Sequence, residues 1–414
     1  MRTISRTKKY WLPLLMTLAL FWGLGPNVPG ARAADDVVIG LITPLTGAYS
    51  FEASTQVHCA QLAVEQINAV GGVLGGRKLK LIVEDDMLKP GVGVNKARKL
   101  IEEDKVKFLS GGVSSAVVLA ISNLAAQHKV VHLGIGGSNE LTNEKCNRYH
   151  VNLDTAAYQM AKGTGVIVVD KLKLPKDWFF ITSDYTWGRT CFDSMKSFLD
   201  SRQGKVLGNE LSPLGTKDFS PYLTKAMASK AKVLCGIVYG DDQVRFLKQV
   251  TEFGLKDKMK IVVPAGDVTI SKATGPAAMA GVYVGLPWYW DIPEPTTKAF
   301  SKAYWAKFKE YPSWAGVQVY DGLKVLAEAI NEVGSLDTGK IIKSLEGRKF
   351  KTSKGPEQIR ACDHRAVQDY YVGIGKSEKE MMKDPWNVLT IVGSISGEEI
   401  MIPCAETNCK MGEY

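Results

Sequence analysis

The sequence predicts an α/β fold of two lobes, and three observations carry that expectation. From Val37 onward short apolar runs alternate with segments of helical period, the series stops and restarts once near residue 150, and no Gly/Ser/Pro-rich linker separates its halves. Strands alternating with helices imply parallel sheets covered on both faces. Two such series without a linker imply two lobes forming one mechanical unit, with a cleft between them.

The first series opens with the strand "VVIGLI" (37–42) and a helix near 52–70, where Val57, Ala60, Val64 and Ile67 recur on one face. "LKLIVEDD" (79–86), a helix near 92–104, "KFLS" (107–110), a helix after Ser115 and "VVHLG" (130–134) continue it. The second begins after "YHVNLD" (149–154) with a helix over 156–172, the strand "WFFITSD", a helix over 188–202 and the strand "KVLGNEL". A helix over 217–230, the strand "KVLCGIVYG" and a helix over 241–253 follow, the last ending at Gly254, a typical helix-terminating residue. "KIVVPA" (260–265), "GVYVGL" (281–286), helices near 295–310 and 314–333 and short strand-like pieces complete the chain.

With 414 residues, 45% hydrophobic and 23% charged, the composition is globular and long enough for two cores. Residues 1–33 read as a secretory signal peptide: a basic start (Arg2, Arg6, Lys8, Lys9), an apolar stretch from Trp11 to Leu24, and the small-x-small site Ala31-Arg32-Ala33. Setting them aside lowers the basic count from 52 to 47 against 43 acidic residues, so the excess falls from +9 to +4. That balance, without a basic tract interleaved with aromatics, argues against nucleic acid. No cysteine follows the cleavage site to take a lipid, which favours a soluble protein diffusing in the periplasm.

All seven cysteines lie beyond the signal, where disulfides can form. None has zinc spacing, and an odd count leaves at least one unpaired in a monomer. Cys362 with Cys404 or Cys409, fastening the tail, is the preferred candidate, set against a reading in which most are buried thiols. The five histidines suggest no metal site, neither GxSxG nor HExxH occurs, and no cofactor is expected.

In open α/β sheets ligands sit beyond the carboxyl ends of strands. "GGVSS" (111–115) is at such a place, and two readings stand there. The serines cap a helix, or they and the helix's unpaired N–H groups seat an anion, with the glycines allowing close approach. "GIGGSN" (134–139) lacks the third glycine of a dinucleotide fingerprint and reads instead as a turn with donors at Gly137 and Ser138. "PGVGVNKA" (90–97) is not a phosphate loop. Aromatic residues cluster at strand ends, at Tyr49, Tyr185, Trp187, Tyr239 and Trp288; Trp187 and Trp288 are expected to line the cleft rather than the core.

The stretch "VVIGLITPLTGAYSFEASTQVHCAQLAVEQINAVGGVLGGRKLKLIVEDD", continued through "GGVSSAVVLA", "DYTWGR", "DFSPYLTKAMASKAKVL" and "PWYWDIPEPTTKAFSKAY", resembles the branched-chain amino acid (Leu/Ile/Val-binding-like) family of periplasmic solute-binding proteins of ABC importers. The resemblance covers nearly all of the chain after residue 33. It implies the type I periplasmic binding protein fold: two Rossmann-like lobes joined by three crossings, near 155, 286 and 353, with a ligand held in the interlobe cleft. Lobe 1 would be 36–155 plus 286–352, lobe 2 156–285 plus 353–400, and the tail 401–414.

The resemblance also assigns roles. Ser115, with Ser114 beside it, Gly136 and Ser138 would hold a ligand's carboxylate; Trp187 and Tyr239 would cover its side chain. Where amino acid binders of the family carry a glutamate for the α-ammonium, Ala265 stands, with Asp267 two residues on. An unpaired buried ammonium is costly, so the cleft favours an aromatic or other organic carboxylate; were Asp267 to point inward, an amino acid or amide would return. Met87 and Ser114 occupy the places of the family's first-lobe disulfide. The implied function is a non-enzymatic receptor, acting as a monomer, that captures a small solute and passes it to the importer's permease in the inner membrane. A sensory subunit for a membrane kinase or chemoreceptor, and a periplasmic enzyme, are the alternatives.

Overall fold

The computed structural model describes residues 35–414, and the export segment expected at 1–33 lies outside them. The first sheet is built by β1 (Val37–Thr43), α1 (Ser50–Ala69), β2 (Leu79–Asp85), α2 (Pro90–Glu102), β3 (Phe108–Gly111), α3 (Ser115–Gln127), β4 (Val131–Gly134) and β5 (His150–Asn152). Its order is β2-β1-β3-β4-β5, and every pairing is parallel. All but one residue of β1 is buried. A strand covered on both faces reads as a continuous apolar run, as "VVIGLI" does.

The chain then forms α4 (Ala157–Gly165), β6 (Asp177–Ser183), α5 (Thr186–Ser201), β7 (Lys205–Ser212), α6 (Ser220–Ala228), β8 (Val233–Ile237) and α7 (Asp241–Glu252). β9 (Lys260–Val263), α8 (Val268–Thr274), α9 (Pro276–Met279) and β10 (Tyr283–Leu286) follow. The helix expected over 156–172 is α-helical only to Gly165, and Val166–Lys171 continue as a π-helical segment. Gly163 and Gly165 let α4 press against the rings of Tyr370 and Phe198, which would lie 2.5 and 2.4 Å from an added Cβ.

The last third contains α10 (Pro295–Phe308), α11 (Trp314–Val333), α12 (Thr338–Leu345), β11 (Lys349–Thr352), β12 (Gly355–Ile359), β13 (Ala366–Val367), β14 (Tyr370–Gly375), α13 (Glu378–Lys383), β15 (Leu389–Ile395) and α14 (Gly397–Ile400). The second sheet has the order β15-β14-β10-β9-β8-β6-β7. It is parallel from β7 to β10, but β14 runs antiparallel to β10 and β15 antiparallel to β14, so the sheet is not wholly parallel. Antiparallel strands at the edge of a parallel sheet are common in doubly wound folds. β11, β12 and β13 form a separate small antiparallel sheet.

Periodicity gives no sign that α11 returns to pack along α1. Thr55 Oγ1 meets Ser313 Oγ at 2.7 Å, and Gly316 lies so close that a Cβ there would sit 2.8 Å from the Thr55 carbonyl oxygen. Two disulfides fasten the tail. Cys362 pairs with Cys404, while Cys409 is taken by Cys146, 263 residues away in sequence. Cys59, Cys191 and Cys235 are buried free thiols.

Candidate functional site

The turn between β3 and α3 explains its own sequence. Gly111 and Gly112 sit at φ +102° and +96°, a region that side chains disfavour. A Cβ on Gly111 would lie 2.6 Å from the Ile42 carbonyl oxygen. Ser114 then holds the N-cap position of α3, but its side chain makes no capping bond. Ser115 is buried and its Oγ accepts from the Ser138 N–H at 3.0 Å. The first intrahelical bond of α3 to Ser114 comes from Val118 N–H, so the N–H groups of the helix's opening turn are left over, as at any helix start.

Loops from both sheets close around one small cavity. Val113 follows β3, Gly137 follows β4 and Asp154 follows β5, while Tyr185 and Trp187 follow β6, Tyr239 follows β8 and Ala265 follows β9. Met160 and Trp314 complete the wall. Rings fill most of the space and leave a cavity of about 20 Å³, little more than one water needs. Admitting anything larger than a water therefore requires parting the lobes or moving a ring. A wider depression, lined by polar residues such as Asn139, Thr190 and Ser194, begins just after the β4 glycine turn and shares no lining residue with the ring-lined cavity.

The lobes touch at the cavity's rim. Asp241 N–H donates to the Ala48 carbonyl at 3.1 Å, and the Tyr49 and Tyr185 hydroxyls meet at 3.2 Å. Gly137 faces Trp187 so closely that a Cβ would lie 2.7 Å from the indole. Tyr239 packs edge-on to Tyr49, with ring centroids 5.7 Å apart.

Among the residues that the sequence singles out, Gly137, Trp187 and Tyr239 line the cavity, and Tyr49, Ser115 and Ser138 adjoin its walls. The Gly136 carbonyl is used by Asn152 Nδ2 at 2.9 Å. Trp288 is not in the cavity wall. It is buried with its ring edge-on to Phe300 of α10, at a centroid distance of 5.8 Å, because the chain after β10 turns toward that helix.

Asp267 does not point freely inward either. One of its carboxylate oxygens accepts from the Thr269 and Ile270 N–H groups, capping α8, and the other accepts from the Tyr239 hydroxyl at 2.9 Å. Burial raises its pKa, against the pull of these donors.

Sequence patterns missed three residues. Asp154 lines the cavity, and its carboxyl is pushed up to about 7 by burial, which Arg365 opposes. Arg365 is fully buried and donates to three neutral oxygens: Thr142 Oγ1 and the Asp154 carbonyl, both at 2.9 Å, and the Ser138 carbonyl at 3.3 Å. It braces from behind the two strand-end segments that the cleft uses. Trp314 reaches the cavity only because α11 returns to α1.

Two α/β lobes whose strand ends close on a small ring-lined cavity define a receptor of the type I periplasmic binding protein class. The periplasmic binding protein family model matches residues 36–379, and the chain belongs to that family, in its branched-chain amino acid type. An amino acid binding protein of Pseudomonas aeruginosa is 26% identical over 372 residues, covering 88% of this chain and 96% of that one. A periplasmic binding protein of Burkholderia mallei is similar in structure, with TM-score 0.85 and 30% identity over 92% of this chain and all of that one. A solute-binding protein of an ABC transporter from Rhodopseudomonas palustris, solved with 3,4-dihydroxybenzoic acid, has TM-score 0.78 and 25% identity over 87% of this chain and 98% of that one.

Proposed function

We propose that the chain is an exported periplasmic receptor, not an enzyme, that closes its lobes over a small organic carboxylate and hands it to the permease of an ABC importer. Residues 1–33 direct export; lobe 1 comprises 36–155 and 286–352, lobe 2 comprises 156–285 and 353–400, and 401–414 form the tail. Ser115 carries the reading. It opens α3, it is buried, its Oγ already orders Ser138, and its O–H has no acceptor among the described residues. A carboxylate set there would take that proton and the leftover N–H groups of the helix start. Ser114, freed from capping, is a further donor, and Ser138 becomes one if its hydroxyl turns away from Glu140 Oε1, to which it donates at 3.4 Å.

The ring-lined wall suits an aromatic or other apolar acid. Ala265 offers no partner for an α-ammonium, and Asp267 is held by its own helix and by Tyr239. The relative solved with dihydroxybenzoic acid supports this choice. One observation favours an amino acid or amide instead: the Asp154 carboxyl lines the cavity.

Because a ligand that binds the folded state raises its melting temperature, a thermal-shift screen over aromatic acids, short organic acids, amides and amino acids separates these readings. Aromatic or organic acids are expected to give the largest shifts, reduced in Ser115→Ala. Shifts that Ser115→Ala leaves unchanged would remove the carboxylate seat. A panel dominated by α-amino acids, with Asp154→Asn losing the effect, would establish the second reading.

A further inference from the structure

Two polar groups at one end of the cleft are unsatisfied. Glu52, in the first turn of α1, is 1% exposed, and its Oε2 has no donor among the described residues. Trp314, the first residue of α11, is 4% exposed and lines the cavity, and its Nε1–H has no acceptor among the described residues. Thr55, about a turn into α1, meets Ser313, which caps α11 just before Trp314, so the two helix starts lie side by side. The Trp314 ring centroid lies 5.8 Å from that of Tyr239, whose edge also meets Tyr49 at the start of α1. Trp314 lines the cavity and Glu52 lies near the same two tyrosines just behind the lining, so an orphan donor and an orphan acceptor flank one aromatic corner. Leaving either one buried without a partner is costly.

The neighbours of Glu52 decide what can satisfy it. The carboxylates of Asp267 and Asp241 and the hydroxyls of Tyr49 and Tyr239 face it, and no lysine or arginine forms an ion pair with it among the described residues. Burial, reinforced by the charge of Asp267, holds its carboxyl well above the usual range. A carboxylate can pair with Glu52 only while Glu52 is protonated, and an ammonium cannot accept from Trp314. A hydroxyl both donates and accepts, and it can pair with Glu52 in either protonation state.

We propose that this corner is a hydroxyl subsite, in which a phenolic or alcoholic group of the ligand donates to Glu52 Oε2 and accepts from Trp314 Nε1–H while the ligand's carboxylate rests at Ser115. The ligand is then a hydroxy acid with its two polar ends on opposite sides of the ring-lined space. This rests on the carboxylate reading given above.

Matched acids test it: 3- and 4-hydroxybenzoate against the methylbenzoates, 4-hydroxybutanoate against pentanoate, and 4-(aminomethyl)benzoate, each titrated by calorimetry into the full chain. At least one hydroxy acid is expected to bind about ten-fold or more tighter than its methyl counterpart, the range for a buried pair of hydrogen bonds. Trp314→Phe, which keeps the ring and deletes the donor, should bring the two to equal affinity, as should Glu52→Leu. Equal binding of hydroxy and methyl acids by the unaltered chain overturns the subsite alone, as does a preference that survives both variants. Preference for the aminomethyl acid would make the corner a cation seat and overturn it too. If no acid of any kind binds, the carboxylate reading falls and the subsite with it.

Discussion

On the first-lobe side the cleft wall is mostly backbone, with two glycines at positive φ, the start of α3 and Ser115 linked to the Ser138 N–H, and Trp314 of α11 adds a ring to it. On the second-lobe side it is ring: Tyr185 and Trp187 after β6, and Tyr239 after β8. Backbone donors are fixed in direction by the strand and helix that flank them, so that wall selects for an oxygen at one point. Rings offer area and little direction, so this wall selects for bulk and flatness. On the proposed reading, the difference divides recognition into a mainly polar test made by one lobe and a mainly shape test made by the other, and both are passed together only when the lobes close.

Arg365 is the sharpest way to break the backbone wall without touching the cavity. Replacing it with Met leaves the Ser138 and Asp154 carbonyls and Thr142 Oγ1 without their buried donor. Denaturant unfolding should show a loss of about 3–5 kcal/mol, because three buried acceptors lose a charged donor at once. A loss within a few tenths would mean that the strand-end loops hold themselves.

The next two changes set one wall against the other. Trp187→Ala removes the ring that closes on Gly137 and should weaken binding by about 2–4 kcal/mol, as truncation of a central aromatic does, with large acids losing more than small ones. Ser115→Ala should weaken binding by about 1–3 kcal/mol, and by a similar amount for every carboxylate whatever its bulk. Calorimetry over an acid series distinguishes these patterns. If both variants lose affinity in proportion to ligand size, the division between polar and shape recognition is wrong.

Local signals in the sequence located much of both walls. Runs and periods found the strands and helices, and the position of Trp187 and Tyr239 just past apolar runs found the rings. The same signal failed for Trp288, which also follows a strand. What separates the cases is the helix that comes next: α10 offers Phe300 as a packing partner, and no short-range pattern reports that. Trp314, Arg365 and Asp154 escaped for a related reason. Each enters through a chain crossing or the return of a helix, so its neighbours are far away in sequence, as with Cys146 and Cys409. The π-helical segment after Gly165 was hidden because its residues keep the apolar character of a continuing helix.

Asp154 provides the mildest test, because it stands where the backbone wall becomes acidic. Its carboxyl titrates near 7 in the folded chain against an ordinary 3.8, chiefly through burial. Between those values the folded state binds more protons than the unfolded one, so this group makes stability fall as pH rises from about 4 toward about 7, by about 1.4 kcal/mol per pH unit at most. Asp321, also raised to about 7 by burial, contributes a slope of the same sign. Asp154→Asn should therefore flatten the fall without abolishing it, gaining about 1–2 kcal/mol over the unaltered chain at pH 7 relative to pH 5. Chemical denaturation at the two pH values measures this directly. An unchanged slope would mean that Asp154 is ionised throughout, with Arg365 acting through the backbone as its counter-charge, and the first-lobe wall would then present a fixed negative charge to the cleft and repel the carboxylate that Ser115 is proposed to hold.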